Sequence, residues 1–216
     1  MLREIISNEL FTILIVFSLC ILAFARYTFT NRFNDYLWVV GNSKYLKIYA
    51  REQKFIDQFD SLLFINLIIS LSIFSFISYS TLFEPLIFEL SLFIKVFVGI
   101  GALILIKILV ERLVGSLFDI DELIDSYIFQ KTNYKNYVGL ILLPINTILI
   151  FGINPSPTII YIIFALLTLV NAVGFITSLK THQKTIINNF FYFILYLCAL
   201  EIAPYIILYN LFITNL

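Results

Sequence analysis

Residues 61–79 have the sequence SLLFINLIISLSIFSFISY, with no charged side chain. A helix needs about 20 apolar residues to cross the hydrocarbon core of a bilayer, and this run supplies that length. The rest of the chain has the same character, because 61% of its 216 residues are apolar, only 13% are charged, and the mean hydropathy is +0.98. Soluble domains are about half apolar and a quarter charged. The sequence therefore predicts an all-α integral membrane protein.

Five further apolar runs lie on either side of this one, each bounded by charged or turn-forming residues. The six predicted spans are 10–25, 61–79, 86–110, 138–153, 158–179 and 190–212. We expect residues 1–216 to form a single transmembrane domain, a polytopic helical bundle with loops 26–60, 111–137 and 180–189 on one side. The first run is interpreted as a span and not as a cleaved signal peptide, because Glu4 and Glu9 are unusual in a basic leader.

The distribution of basic residues predicts the orientation. Lys and Arg in short loops resist translocation, so they mark the cytoplasmic side. Twelve of the fourteen basic residues lie in these three loops or at their borders. We therefore expect the loops in the cytoplasm and both termini on the opposite side. Between spans four and five, Asn154-Pro155-Ser156-Pro157 cannot continue a helix, which predicts an antiparallel hairpin.

Loop 26–60 carries an amphipathic pattern. Aromatic and apolar residues recur there at helical spacing, and basic residues fall on the other face. The basic face consists of Lys44, Lys47, Arg51 and Lys54. We expect this helix to rest on the membrane, with its apolar face among the lipid headgroups and its basic face against anionic lipid. A docking surface for a protein partner is the alternative.

Loop 111–137 has the opposite charge. Acidic residues, including Glu111, Asp121 and Asp125, interrupt an apolar helical pattern and predict an acidic amphipathic helix. Asp121 and Asp125 are weak candidates for a divalent-metal site of the kind that binds a lipid diphosphate. The further Asp residues, or the interleaved Gly and Arg, that such enzymes use are absent from the sequence. We expect the acids to be solvated or paired with the basic helix.

Polar residues within the predicted spans form a candidate intramembrane site. Glu201 lies near the middle of the last span, and Pro204 frees a backbone carbonyl one turn before it. Asn146 and Asn171 lie at similar depth in spans four and five, and Lys95 or Lys107 of span three is a candidate counter-charge for Glu201. Three interpretations stay open: hydrogen bonds that hold the helices together, a substrate, lipid or proton site, and a contact with another membrane subunit.

Several functional classes are disfavoured. The formal net charge is zero, which gives no basic field for nucleic acid. The only histidine is His182, and Cys20 and Cys198 both fall in apolar runs, so no ligand set for zinc or heme is expected. The sequence contains no phosphate-binding glycine loop and no nucleophile motif. We predict neither a catalytic residue nor a cofactor.

The closing segment Tyr196-Leu197-Cys198-Ala199-Leu200-Glu201-Ile202-Ala203-Pro204 resembles the C-terminal signature of a multi-pass inner-membrane family of Bacteroidota, a domain of unknown function (DUF4271). The stretch from Arg51 to Phe64 resembles the pattern that precedes the family's second hydrophobic segment. The resemblance implies a Gram-negative inner membrane and a cytoplasmic loop side. It implies no activity and no catalytic residue.

Three functional hypotheses follow. The first is a non-enzymatic inner-membrane subunit that packs against another membrane protein, or a second copy of itself, in cell-envelope assembly or protein export. The second is a small transporter or lipid-handling protein with a midplane site around Glu201. The third is a metal-dependent lipid transferase at the acidic loop.

Overall fold

The computed structural model describes residues 9–39, 44–49, 57–83, 89–117 and 121–181, and within them the chain is all-α. Five helices are long and apolar enough to cross a membrane. They are α1 (Glu9–Thr28), α4 (Gln58–Leu82), α5 (Leu90–Leu117), α6 (Asp121–Thr147) and α7 (Pro157–Thr181); the short helices α2 (Thr30–Leu37) and α3 (Lys44–Tyr49) lie between α1 and α4. Five of the six predicted spans are thus confirmed as helices. The sixth, 190–212, lies outside the described residues.

The helices are longer than the predicted spans. The predicted first span ends at residue 25, but helical hydrogen bonds continue from Phe29 N–H to the Ala25 carbonyl and from Phe33 N–H to the Phe29 carbonyl. Phe29 leaves helical geometry, with φ −123° and ψ 49°, so α2 continues α1 after a bend. Sequence hydropathy ends a span at the first charge, whereas backbone hydrogen bonding extends the helix beyond it.

Helices α5 and α6 show the same difference. The segment 111–137, predicted to be a loop with its own amphipathic helix, consists almost wholly of the end of α5 and the start of α6. At 1.5 Å per residue, the 28 residues of α5 measure about 42 Å, against about 30 Å for a hydrocarbon core. The two helices therefore form a hairpin, here called the α5–α6 hairpin, that is longer than a membrane crossing requires.

The pair α4 and α6 forms the centre of the bundle. The two helices run parallel, because Asp60, Leu67 and Ser70 of α4 contact Asn136, Gly139 and Asn146 of α6 in the same order. Helices α1 and α5 pack against α4, and α5 and α7 pack against α6. About two thirds of the apolar window of α4 is buried, against 11% for α5. The outer helices therefore present apolar faces to their surroundings.

The connection between α6 and α7 is the predicted turn. Pro144 lies inside α6, which continues into a π-helical turn, Ile148–Gly152, and the backbone becomes extended at Ile153. Helix α7 then begins at Pro157, where the missing N–H costs no hydrogen bond. Gly174 of α7, about 20 residues after the turn at Asn154, contacts the ring of Tyr134 of α6, about 20 residues before it. The two helices are thus an antiparallel hairpin.

Because the long helices alternate in direction, the segments between α1 and α4 and between α5 and α6 lie at one end of the bundle, here called the polar end. Tyr27 and Trp38 are 87% and 74% exposed there, and Phe83 is 74% exposed at the opposite end. Along α4, Asp60 and Tyr79 are about 28 Å apart at helical rise, close to the thickness of a hydrocarbon core. Exposed aromatic residues at two such levels are typical of membrane interfaces.

Candidate functional site

The most developed polar cluster lies at the polar end and is centred on Arg32 of α2. Its guanidinium NH1 donates to Asp57 Oδ2, and NH2 donates to Asp60 Oδ2 at 3.2 Å. Asp57 is the N-cap of α4, where its other carboxylate oxygen accepts from the N–H of Phe59. A side chain of α2 thus bonds to the first turn of α4, and the two helices are fixed to each other where the chain leaves the apolar region.

Aromatic rings enclose the same guanidinium. Its carbon lies 4.7 Å from the ring centre of Phe59 and 5.0 Å from that of Tyr49, and Nε donates to the Tyr45 hydroxyl at 3.2 Å. Arg stacks on ring faces while its edge forms hydrogen bonds, so both sets of contacts are satisfied together. We call Arg32, Asp57, Asp60, Tyr45, Tyr49 and Phe59 the Arg32 cluster.

Two buried tyrosines extend the cluster toward α6. The Tyr36 hydroxyl donates to the Asn133 carbonyl at 2.8 Å, and its ring lies 5.4 Å from that of Tyr45, centre to centre. Burial raises the pKa of Tyr36 and of Tyr45 well above the usual range for tyrosine. Both phenols are therefore neutral hydrogen-bonding groups at physiological pH, and they add no charge to the cluster.

Helix α6 contributes two carboxamides at this level. Asn136 Nδ2 donates to the backbone carbonyl of Asp60 at 3.4 Å, and Asn133 Nδ2 donates to the Phe129 carbonyl at 2.9 Å. Asn133 and Asn136 are 1% and 0% exposed. Among the described residues, Oδ1 of each accepts no hydrogen bond, and neither does Asp60 Oδ1. Three shielded oxygens on α4 and α6 thus have no donor in the part of the chain that the structure describes.

Two ion pairs join the helices of the α5–α6 hairpin. Lys131 Nζ lies 2.5 Å from Glu111 Oε1, and Arg112 Nε lies 3.2 Å from Asp125 Oδ1. Glu111 and Asp125 thus pair within the hairpin, and the basic side chains of Lys44, Lys47, Arg51 and Lys54, the predicted alternative partners, lie outside the described side chains. Asp121 is exposed. In the ranges that the structure covers, no three His, Cys, Asp or Glu residues lie close enough together to hold a metal ion.

Four residues of the predicted intramembrane site, Asn146, Asn171, Lys95 and Lys107, lie in the described helices. Asn146 is 1% exposed, and its Nδ2 donates to the Ser70 carbonyl of α4 at 2.8 Å. Asn171 instead donates to Leu167 of its own helix and faces outward. Lys95 is exposed and Lys107 half-buried on α5. Glu201 and Pro204 lie outside the described residues, so their predicted role stays a prediction.

The predicted surface helix is present in part. Lys44 and Lys47 belong to α3, while Arg51 and Lys54 lie outside the described residues. Tyr45 and Leu46 are 2% and 1% exposed, because α3 packs against Tyr36 and the start of α4. Tyr45 belongs to the predicted apolar face, so this face contacts protein at Tyr45, where the sequence predicted lipid headgroups.

Sequence reasoning missed the acceptors of the Arg32 cluster. Arg32 was counted only as one of many basic loop residues, and Asp57 and Asp60 were not singled out. One signal was available: Asp57 precedes an apolar run at an N-cap position, and Asp60 follows in the first helical turn. The contribution of Asn133 and Asn136 depends on α6, which is more than 70 residues away in sequence.

The comparisons with known proteins agree with the fold. No curated protein and no solved structure matches the chain. One family does match, described as a domain of unknown function (DUF4271), over residues 11–212. This range covers all the described helices from the first turn of α1 onward, and it confirms the family resemblance that the closing segment suggested. The chain therefore belongs to the DUF4271 family.

Proposed function

We propose that this protein is a non-enzymatic subunit of a membrane complex, and that it binds another membrane protein through the outer part of the α5–α6 hairpin. The observation that supports this proposal is the exposure of Leu113 and Leu117, 60% and 71%, at the end of α5. Large apolar side chains are expected on a lipid-facing helix. Outside the hydrocarbon, exposed apolar side chains that lie close together are typical of protein contacts.

The ion pairs of the hairpin support a position outside the hydrocarbon for these leucines. Asn136 of α6 is level with Asp60 of α4, and Lys131 lies five residues further out, or about 7.5 Å. Lys131 pairs with Glu111, so Glu111 marks the same level on α5. Leu117 follows six residues later, about 9 Å further still. Both leucines therefore lie beyond the Arg32 cluster, at the level of the two ion pairs of the hairpin.

We expect the double variant Leu113→Ala/Leu117→Ala to lose the partner. Interface leucines in a desolvated contact contribute about 1 kcal/mol or more each, so recovery of a co-purifying membrane protein should fall about tenfold or more. The measurement is quantitative mass spectrometry after purification from native membranes in a mild detergent. Leu103→Ala is the matched control, since Leu103 has the same 60% exposure as Leu113 but lies deeper in the bundle. A solitary, stable monomer from the wild type would end the proposal.

We further infer a bacterial inner-membrane location, with the polar end in the cytoplasm and a role in envelope assembly or protein export. The closing segment and its resemblance to a Bacteroidota family support the location. The basic residues support the orientation, because Arg26, Arg32 and Arg112 lie at the polar end together with Lys131 and Lys135. A sixth span between α7 and Leu216 would return the C-terminus to the opposite side.

Fusions at both ends of the bundle test this orientation. Alkaline phosphatase fused after Leu216 should be active, because it folds only outside the cytoplasm, and a green fluorescent protein at the same position should be dark. The matched control inserts the same reporters after Asp121, at the tip of the α5–α6 hairpin, where the two signals should be reversed. A phosphatase that is inactive after Leu216 and active after Asp121 would invert the orientation.

A further inference from the structure

The Arg32 cluster carries an unbalanced charge. One guanidinium faces two carboxylates, those of Asp57 and Asp60, and the side chains of the three residues are only 15%, 25% and 20% exposed. Tyr36 and Tyr45 are neutral, so the described side chains of the cluster sum to one negative charge. An uncompensated charge that is largely removed from water is costly, and proteins balance it with a bound cation or a proton.

The unsatisfied atoms at this place are all oxygens. They are Asp60 Oδ1, Asn133 Oδ1 and Asn136 Oδ1, each shielded from solvent and without a donor among the described residues. The two carboxamide nitrogens already donate to backbone carbonyls, which fixes the oxygens as the free ends. A group of buried oxygens with no donor between them is a suitable environment for a hard cation, which takes carboxylate and amide oxygens as ligands.

The backbone places Asp60, Asn133 and Asn136 within about one helical turn of each other along the bundle. Asn136 contacts the backbone of Asp60, and Asn133 lies one turn before Asn136 on the same face of α6. The bond from Tyr36 to the Asn133 carbonyl ties this turn of α6 to α2. The Asp60 side chain as a whole keeps 20% of its surface exposed, while its Oδ1 atom is shielded.

We propose that Asp60 Oδ1, together with the side-chain oxygens of Asn133 and Asn136, binds a monovalent metal cation, Na⁺ or K⁺. One positive charge neutralises the cluster, whereas a divalent ion would leave it with an excess of positive charge beside Arg32. The cation bridges α4 and α6 next to the point where α2 joins them. It therefore couples the fold of the polar end to the ionic composition of the aqueous side. This inference does not rest on the proposed partner contact.

The test is thermal unfolding of the purified full chain in detergent. Choline chloride is replaced by NaCl or KCl at constant ionic strength and constant pH. We expect the melting temperature to rise by about 4 °C when the metal ion is present at ten times its Kd, and to keep rising with the logarithm of the ion concentration above that point. Asn136→Ala, which leaves both bonds from Arg32 to the carboxylates in place, should raise the Kd roughly tenfold or more. Asp60→Asn should do the same by removing the charged ligand.

Two control variants have the same chemistry at other places. Asn171→Ala removes a carboxamide that bonds only to its own helix, and Asp125→Asn removes a carboxylate that pairs with Arg112. Both should keep the wild-type response to Na⁺ or K⁺. Equal melting temperatures of the wild type in choline, Na⁺ and K⁺ would overturn the proposal, as would an unchanged response in Asn136→Ala. A melting temperature that changes with pH but not with the metal ion would show that a proton balances the charge. That result would also overturn the proposal.

Discussion

Gly139→Ala is expected to push α4 and α6 apart and to leave little folded protein. A Cβ atom at this position would lie 2.5 Å from Leu67 Cα, 2.9 Å from Leu67 Cβ and 3.0 Å from the Leu67 nitrogen. Two of these three atoms are backbone, so no rotation of a side chain relieves the overlap. Close helix approach through small residues is the usual means by which membrane helices associate, since lipid provides no hydrophobic driving force between them.

The expected cost is high because the crossing at Gly139 lies between two polar contacts. Asn136 bonds to the Asp60 carbonyl on one side, and Asn146 bonds to the Ser70 carbonyl on the other, at 3.4 and 2.8 Å. A shift of α6 large enough to admit a methyl group weakens both. We expect the free energy of unfolding to fall by about 3 kcal/mol, at the upper end of the range for overpacking. The measurement is the melting temperature in detergent together with the monodisperse fraction in size-exclusion chromatography.

The chain contains a graded set of controls for this substitution. A Cβ at Gly99 of α5 meets nothing within 4 Å, so Gly99→Ala should leave stability unchanged or raise it slightly through better helix propensity. At Gly101 the nearest atom is Ile68 Cδ1 at 3.2 Å, the end of a flexible side chain, so Gly101→Ala should have a small effect. Equal melting temperatures for Gly139→Ala and Gly99→Ala would contradict the parallel α4–α6 crossing.

The contrast between these glycines shows how far the sequence predicts this fold. Hydropathy predicted five of the described helices, because backbone polar groups inside a membrane must be hydrogen-bonded within a helix. The length of an apolar run then shows whether that helix can cross the bilayer. It does not distinguish Gly139 from Gly99, since both lie in apolar helices and only the neighbouring helix makes one of them indispensable. Helix ends were also missed, because charge ends a hydropathy run at residue 110 while α5 continues to Leu117.

The candidate site was predicted less well than the fold, for a related physical reason. For both Asn146 and Asn171 an interhelical bond was one of three open interpretations; among the described residues Asn146 bonds to the Ser70 carbonyl of α4, whereas Asn171 bonds to its own helix. Composition and depth are alike for the two residues. The difference is the rotation of each helix about its axis, and that is set by packing between segments far apart in the sequence. Similarly, the Arg32 cluster depends on α2, α3 and α4 meeting at one level.

Arg32→Ala is expected to be the most damaging change at the polar end. It removes the cation that faces Asp57 and Asp60, and it leaves two carboxylates close together among aromatic rings. Removing one partner of a buried ion pair typically costs 3–5 kcal/mol, and the remaining exposure of 15–25% places the expected loss near the lower end, about 3 kcal/mol. Because α2 and the start of α4 are joined by this side chain, the loss should also appear as faster proteolysis between α1 and α4.

Arg32→Lys tests whether the positive charge of Arg32 or the geometry of its contacts stabilises the polar end. An ammonium restores one positive charge, but it cannot donate to both carboxylates and to the Tyr45 hydroxyl while lying against the rings of Phe59 and Tyr49. We therefore expect Arg32→Lys to recover less than half of the stability lost in Arg32→Ala. Arg26→Ala is the matched control, since Arg26 is an exposed arginine six residues earlier, and its melting temperature should equal that of the wild type. Full recovery in Arg32→Lys would show that the polar end needs only a positive charge. The stacking of the guanidinium on the rings and its paired hydrogen bonds would then contribute nothing to stability.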